Sequence, residues 1–196
     1  MAPMPSPEGP ALETPHRQIL LATARASLAH GVEHGRALPV KAADYPPVLQ
    51  APGATFVTLR IADELRGCIG SCEAVRPLIE DVSHNAYAAG FMDPRFPRLA
   101  QHELAGLHID ISMLSPLEPL KCASADELLR RVRPGVDGLL LEEGRHRGTL
   151  LPAVWEALPD PEVFLRHLRL KAGLPAKYWS PGLRVYRYTA ESISEE

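Results

Sequence analysis

Apolar positions along the chain repeat with two different periods, and each period predicts a different element. Between residues 107 and 113 apolar side chains occupy every odd position, while His108, Asp110 and Ser112 occupy the even ones. This alternation predicts a strand with one buried and one polar face. Residues 54–61 are rich in β-branched and aromatic side chains and predict a second strand.

Helical periodicity begins near a proline and ends at a glycine in three segments. Proline is favoured in the first turn of a helix and glycine just beyond its end, so each segment carries both of its boundaries. A further short helix is predicted after the capping-box pattern Ser124–Glu127. The three longer predicted helices are 15–30, ended by Gly31; 77–89, ended by Gly90; and 161–172, ended by Gly173.

The predicted strands come as neighbouring pairs, with helices between and after them. This order is typical of an α+β fold with an antiparallel or mixed sheet, and not of alternating βαβ units. Each half holds a hairpin followed by a proline-initiated helix, which suggests an internal duplication. The predicted strands are 54–61 with 65–70 around the turn Ala62–Glu64, 139–141 with 149–151, and a last strand at 185–188.

Length and composition fit a cytoplasmic globular protein. The 196 residues have a net charge of -3 and no block of like charges, which argues against nucleic-acid binding. The longest apolar run is shorter than the ~20 residues of a membrane span, and no signal peptide is recognised. An odd number of cysteines, three, favours reduced thiols. Proline-rich residues 1–13 are expected to be a flexible extension before one domain at 14–196.

The hexapeptide at residues 65–70, Leu-Arg-Gly-Cys-Ile-Gly, is the strongest candidate for chemistry. In a regular strand Arg66 and Cys68 share one face, with Cβ atoms roughly 7 Å apart. Leu65, Gly67 and Ile69 then point into the core. A neighbouring cation makes a thiol more acidic and more reactive. The pattern predicts Cys68 as a reactive group, acting as a nucleophile or a redox group.

Other interpretations of the cysteines stay open at this point. Free cysteine is among the most buried residue types, so Cys68 is equally consistent with a core position. Cys68 and Cys72 have the spacing of half a zinc site, but no second pair follows, and Cys122 stands alone. A Cys/His dyad would need His84, on the next predicted helix, within hydrogen-bond reach of Cys68.

Two further segments carry charged side chains in positions suited to a site. Asp93 and Arg95 lie in a segment fixed by Pro94 and Pro97, and rigid loops with charged residues often line sites. A local ion pair or turn explains the same residues without function. Asp110 lies on the polar face of its strand, which is either a solvated exterior or the wall of a cleft.

The order of short segments along the chain resembles that of the AMMECR1 family. The resemblance rests on the hexapeptide 65–70 and on further segments in the family's order, and together they cover about residues 16–195. It implies an α+β fold around a curved, barrel-like sheet with flanking helices. The further segments are Ala54–Leu59, Asp93–Pro97, Ile109–Ser112, Gly135–Leu139, Leu150–Pro152, and Lys171–Pro175 followed by Trp179.

Bacterial and archaeal proteins of this kind resemble component A of a three-part AmmeMemoRadiSam system. The resemblance implies two partners, a Memo-like protein and a radical SAM protein, and brings no settled activity with it. This chain has an apolar-to-Cys change at Cys72, which weakens a metal interpretation. The turn Ala62–Glu64 lacks a glycine often found there, so a longer or bulged hairpin is expected.

These observations predict an enzyme or enzyme component that acts on a small metabolite, without a metal or cofactor. Cys68 is the predicted reactive group, Arg66 the residue that stabilises its thiolate, and Asp93 an acid or base. The alternative is a non-catalytic module that binds a ligand or docks on the two partners. The predicted substrate-binding residues are Arg95, Asp110, Asp137 and Lys171, of which Asp137 and Lys171 come from the resemblance alone.

Overall fold

The computed structural model describes residues 12–195, so most of the predicted N-terminal extension lies outside the described residues. The chain forms two compact units. The first consists of the residues up to Ser115 together with the segment from Glu191 onward, and the second is Pro116–Ala190. The helices are α1 (Thr14–His34), α2 (Pro47–Gln50), α3 (Leu78–Phe91), α4 (Ala125–Arg131) and α5 (Pro161–Lys171). The strands are β1 (Pro52–Ile61), β2 (Glu64–Gly70), β3 (Arg76–Pro77), β4 (Leu107–Leu114), β5 (Glu118–Pro119), β6 (Gly138–Glu143), β7 (His146–Leu150), β8 (Arg184–Tyr188) and β9 (Ala190–Ser194).

The first unit is a sheet with two long helices packed on one face. Its strand order is β2-β1-β4-β9, and β3 adds to the start of β1. Val57 and Ile111 point from the sheet into a core shared with Leu28 of α1 and Val82 of α3, and all four are fully buried. The alternation predicted for residues 107–113 therefore matches β4, whose polar positions lie on the opposite face.

The second unit has its own sheet and its own core. The strand order is β5-β8-β6-β7. Phe164 of α5 is fully buried and stacks on Trp155 with ring centroids 3.8 Å apart. The predicted hairpin is confirmed as β6 and β7, and Gly144 takes the left-handed conformation that its turn needs (φ 57°).

The fold class is confirmed as α+β with antiparallel sheets and flanking helices. The pairs β1–β2, β1–β4, β6–β7 and β6–β8 are all antiparallel. Both strand orders are open, with different strands at their two ends, so the expected term barrel-like describes these sheets only loosely. Among the described residues, no helix combines the length and apolar character that crossing a membrane requires.

The first helix runs one turn further than Gly31, which was predicted to end it. The helix ends at Gly35, whose φ of 68° is the left-handed conformation typical of a glycine cap. Gly31 lies inside α1 because α3 approaches closely there: a Cβ at Gly31 would be 2.5 Å from Cε2 of Phe91. A packing glycine was thus mistaken for a terminating one.

The first hairpin is bulged, as its glycine-free turn suggested. Ala62 and Asp63 form the turn with positive φ angles of 49° and 66°. Leu59 pairs with Gly67 but Arg60 pairs with Leu65, so Arg66 is an extra residue in β2. This shift places Leu65 on the outer face beside Arg60, and Leu65 is 38% exposed. The prediction that Leu65 points into the core is therefore wrong.

Candidate functional site

Cys68 lies on β2 with its side chain on the sheet face away from the helices. The preceding Gly67 faces α3 so closely that a Cβ there would be 2.1 Å from the carbonyl oxygen of Ala89. Successive residues of a strand point to opposite faces, so the Cys68 thiol points outward. The thiol is partly exposed, and its sulfur accepts a hydrogen bond from Oγ1 of Thr58 on β1 at 3.3 Å.

Asp93 fixes the backbone of this thiol. Its side chain is only 1% exposed, and Oδ2 accepts a hydrogen bond from the backbone N–H of Cys68 at 2.9 Å. Arg95 donates to both carboxylate oxygens, from Nε at 2.9 Å and from Nη2 at 2.7 Å. The Arg95 hydrogen bonds, aided by the Cys68 N–H, lower the pKa of Asp93 to about 2. Such a carboxylate is a poor acid or base near neutral pH, so the geometry favours a positioning role for Asp93.

Arg95 is the cation next to the thiol residue. Its Nη2 also reaches the carbonyl oxygen of Cys68 at 3.4 Å. The hydrogen bond to Asp93 raises the pKa of Arg95, and a smaller contribution in the same direction comes from Cys68. The side chain is 54% exposed. Arg95 is therefore held by one edge while much of the guanidinium faces solvent.

Arg66 has a different position from the one that a regular strand predicts. Its Nε and Nη2 bind the two carboxylate oxygens of Glu103 at 2.6 and 2.9 Å, and the side chain is 11% exposed. Within the described residues no hydrogen bond or ion pair joins Arg66 to Cys68. The bulge breaks the alternation of side chains, so the expected pairing of this guanidinium with the thiol is not formed.

Glu103 completes the link between β2 and the 3-10 turn Gln101–Gly106. Its Oε2 also accepts a hydrogen bond from the backbone N–H of Ala100 at 2.8 Å. The hydrogen bond from Arg66 lowers the pKa of Glu103, and the Ala100 N–H acts in the same direction. Arg66 therefore ties the bulge to the segment that precedes β4.

Asp110 lies in the same row across the sheet as Cys68. Thr58 of β1 is paired with Cys68 on one side and with Asp110 on the other. The Asp110 carboxylate accepts a hydrogen bond from Oγ of Ser194 at 2.5 Å and lies 3.4 Å from Nε of Arg60. The structure thus brings Cys68, Asp93, Arg95 and Asp110 to one face of the first unit.

Asp137 and Lys171 belong to the second unit. Asp137 is fully buried, and its carboxylate accepts hydrogen bonds from the backbone N–H of Arg133 at 2.9 Å and from Nη2 of the same residue at 2.6 Å. Its carbonyl oxygen accepts from Nε1 of Trp155 at 2.7 Å. These contacts give Asp137 a structural role. Lys171 is the last residue of α5 and is exposed.

The remaining cysteines and histidines do not extend the site. Cys72 is buried, and Cys122 is partly buried. In the part of the chain that the structure describes, no group of three His, Cys, Asp or Glu side chains is placed to hold a metal ion. His84 makes no hydrogen bond to Cys68 within the described residues, so the dyad is not formed.

Sequence reasoning missed Thr58 and Glu103. The contact between Thr58 and Cys68 could have been predicted, because the pairing of 54–61 with 65–70 decides which residue lies opposite Cys68. The bulge lies between the turn and the Thr58–Cys68 pair. Counting residues outward from the turn therefore gives a pairing that is wrong by one residue. Glu103 carries no local signal, since its contact with Arg66 spans 37 positions of the sequence.

Comparisons with known proteins agree with the family resemblance of the sequence. The AMMECR1 family model matches residues 21–193. A protein of Methanothermobacter thermautotrophicus is 41% identical over 159 residues, which cover 78% of this chain and 81% of the relative. A protein of Thermofilum pendens is 38% identical over 193 residues and covers 90% of this chain and 88% of its own.

A solved structure extends the agreement to three dimensions. The crystal structure of the uncharacterized protein PH0010 from Pyrococcus horikoshii has a TM-score of 0.86 and 33% sequence identity with this chain, and the match covers 94% of both. The relatives carry generic names, so they identify the fold and the lineage and not a reaction. The chain belongs to the AMMECR1 family.

Proposed function

We propose that the first unit carries a thiol site at which Cys68 acts on a small anionic metabolite. The protein is then an enzyme or an enzyme component. The single observation that carries this proposal is the state of the Cys68 thiol: partly exposed on the open sheet face and hydrogen-bonded by the Thr58 hydroxyl. A partly exposed sulfur can be reached by a small molecule, and a neighbouring hydroxyl donor orients it for nucleophilic attack.

Arg95 supplies the second half of the proposed site. A guanidinium presents a planar fork of donors that suits carboxylate and phosphate groups. Asp93 occupies one edge of this fork, Nη2 on the same edge reaches the carbonyl oxygen of Cys68, and the side chain is 54% exposed. In this proposal Arg95 binds the anionic group of the metabolite and Asp93 holds Arg95 in place.

Alkylation kinetics of the native full-length protein test this function. Peptide mass spectrometry separates Cys68 from Cys72 and Cys122, and rates are compared for neutral iodoacetamide and anionic iodoacetate. We expect Cys68 to react in the folded protein and to favour iodoacetate more than a free thiol does. Arg95→Gln should remove that preference, whereas Arg98→Gln, which removes an arginine with no part in the site, should keep it.

The variant Thr58→Val distinguishes the effect of the Thr58 hydroxyl on Cys68 reactivity from the effect of the Arg95 guanidinium. We expect it to slow both reagents at Cys68 severalfold without changing the ratio between them, because the hydrogen bond to sulfur is lost and Arg95 is untouched. A Cys68 thiol that resists both reagents until the protein unfolds contradicts the proposal and assigns the residue to packing.

A second candidate function is favoured by the low pKa of Asp93. A site whose nearest carboxylate stays ionised near neutral pH has little general acid or base to offer, which suits a non-catalytic binding or docking module. The proposed partners are a Memo-like protein and a radical SAM protein. Affinity purification of the native protein from its own cells tests this candidate: recovery of either partner, lost in Arg95→Gln, supports it, and recovery of neither counts against it.

We also propose a cytoplasmic location. Cys68 and Cys122 are free thiols in the described structure, and free thiols persist in reducing compartments. Cell fractionation followed by thiol counting on the isolated protein tests this: disulfide-linked material from another compartment would contradict it.

A further inference from the structure

A cavity on the helical side of the first unit is lined by two polar side chains, Arg76 and His84, that donate no hydrogen bond to any described residue. It has a volume of about 260 Å³ and lies between the segment 37–40 and the beginning of α3. Its polar lining consists of Arg76, Glu80, Ser83 and His84. Cys68 points away from the helices, so this cavity is separate from the thiol site.

Two of these residues hold the walls of the cavity together. Ser83 donates a hydrogen bond from Oγ to the carbonyl oxygen of Leu38 at 2.8 Å. Glu80 accepts one at Oε1 from the backbone N–H of Ala42 at 3.2 Å. These bonds fix the segment that follows α1 against α3, so the cavity is a built feature of the unit.

Arg76 is fixed in place but retains its donors. Its backbone pairs with Gly53, and the following Pro77 restricts it to an extended conformation. Its Nε lies 3.6 Å from Oδ1 of the buried Asp81, too far for a hydrogen bond. No described residue accepts a hydrogen bond from the Arg76 guanidinium, which is partly exposed.

The ion pair with Asp81 explains where Arg76 lies, but it does not occupy the hydrogen-bond donors of the Arg76 guanidinium. Oδ2 of Asp81 accepts hydrogen bonds from the N–H and the hydroxyl of Thr55 and from Asn85. Burial raises the pKa of Asp81 despite these bonds. Asp81 thus lies beside the Arg76 guanidinium without accepting a hydrogen bond from it.

His84 provides the second unused group. It lies one turn after Glu80 on α3, it is exposed, and neither ring nitrogen has a hydrogen-bond partner among the described residues. Partial burial, and then the Arg76 charge, lower the pKa of His84. Both side chains line the same cavity, so one ligand bound there can contact both.

We propose that this cavity binds the carboxylate or phosphate group of a small metabolite between Arg76 and His84. Arg76 contributes a positive charge and a fork of donors, which is the arrangement that recognises oxyanions. His84 contributes a ring N–H. The other two polar lining residues, which already bind the segment 37–42, shape the cavity and leave these donors free for the anion.

Titrations followed by amide NMR on the 15N-labelled full chain test this site. Sodium phosphate and sodium succinate are added separately at constant ionic strength. We expect at least one of them to give saturable shifts centred on the amides of Val40 and Ser83. Phosphate alone indicates a phosphorylated ligand, succinate alone a carboxylate ligand, and equal binding of both indicates recognition by charge.

Variants then assign the binding to the two side chains. Arg76→Gln and His84→Gln should each raise the dissociation constant at least fivefold, whereas Arg98→Gln, a matched loss of arginine outside the cavity, and Cys68→Ser should leave it unchanged. If Arg76→Gln unfolds because Asp81 loses its cation, the dissociation constants of Arg76→Lys and His84→Gln test the proposal in its place. Linear shifts, shifts spread over the surface, or binding that survives both cavity variants overturn the proposal.

Discussion

The backbone N–H of Cys68 donates a hydrogen bond to the buried carboxylate of Asp93 across 2.9 Å. This bond ties β2 to the loop after α3, and the same carboxylate carries Arg95. The Asp93 carboxylate therefore fixes both the backbone position of Cys68 and the position of the Arg95 guanidinium. The proline-fixed segment 93–97 contacts the backbone of the thiol residue through two side chains, Asp93 at the N–H and Arg95 at the carbonyl oxygen.

Replacement of Asp93 by Asn should destabilise the protein and disturb the thiol site together. Each carboxylate oxygen accepts two hydrogen bonds, Oδ2 from Arg95 Nη2 and the Cys68 N–H and Oδ1 from Nε and the N–H of Arg95, whereas the amide NH2 of Asn is a donor and cannot replace either oxygen. We expect a loss of about 1–3 kcal/mol in the free energy of unfolding, since a buried acceptor loses bonds to a half-exposed arginine. Urea unfolding measures it, with Asp44→Asn as an exposed control. A variant as stable as the control would show that the contact is dispensable.

The depressed pKa of Asp93 predicts how stability depends on acid. Its folded-state pKa is about 2, whereas an unfolded aspartate has a pKa of about 3.9. The stabilisation by this ion pair is therefore complete above about pH 4 and is lost as the pH falls toward 2. Because Arg95 is half exposed, solvent screening limits the effect to about 1–2 kcal/mol.

The measurement is the difference in unfolding free energy between the wild type and Asp93→Asn at pH 5, 4, 3 and 2.5. The difference should shrink as the pH falls, because only the wild type has this carboxylate to protonate. The Glu103 carboxylate, whose pKa is also lowered, remains in both proteins and cancels. A difference that stays constant across the range contradicts the assignment.

Gly67 is predicted to tolerate no side chain. A Cβ there would meet the carbonyl oxygen of Ala89 at 2.1 Å, and backbone cannot move aside as a flexible side chain can. Gly67→Ala should cost about 2–4 kcal/mol by forcing α3 away from the sheet. Gly106→Ala is the matched control, because nothing lies within 4 Å of its added Cβ. Thermal unfolding compares the two, and equal midpoints would refute the close approach.

The sequence was sufficient for most elements because their signals are local. The alternation at residues 107–113 matches β4, and the Asp160-Pro161 signal starts α5, where Oδ1 of Asp160 accepts from the Val163 N–H at 3.0 Å. The strand β9 was missed, since Ile193 is its only large apolar residue. Its place beside β4 is set by pairing across the sheet, which no local pattern contains.

The candidate site was predictable in its residues but not in its pairings. Cys68 and Arg95 were both identified, yet the arginine assigned to the thiol was Arg66. A strand without a bulge places Arg66 beside Cys68, and the position of the bulge at Arg66 is visible only through the pairing of Leu65 with Arg60. Which of two arginines approaches a thiol depends on register and on a loop contact, and both arise from tertiary structure.

Asp137, in the second unit, is a residue of the family resemblance whose contacts predict a role in stability and not in ligand binding. Its buried carboxylate binds the N–H and guanidinium of Arg133, and its carbonyl holds the Trp155 indole. We expect Asp137→Asn to lower the free energy of unfolding by about 1–3 kcal/mol, because the amide cannot replace the charge-assisted bonds. Asp126→Asn, on the exposed first turn of α4, should change it by about 0.5 kcal/mol or less. Tryptophan fluorescence during urea unfolding reports the change, since Trp155 stacks on Phe164 in the core of this unit. A variant that keeps its stability and loses only ligand binding would instead assign Asp137 to recognition.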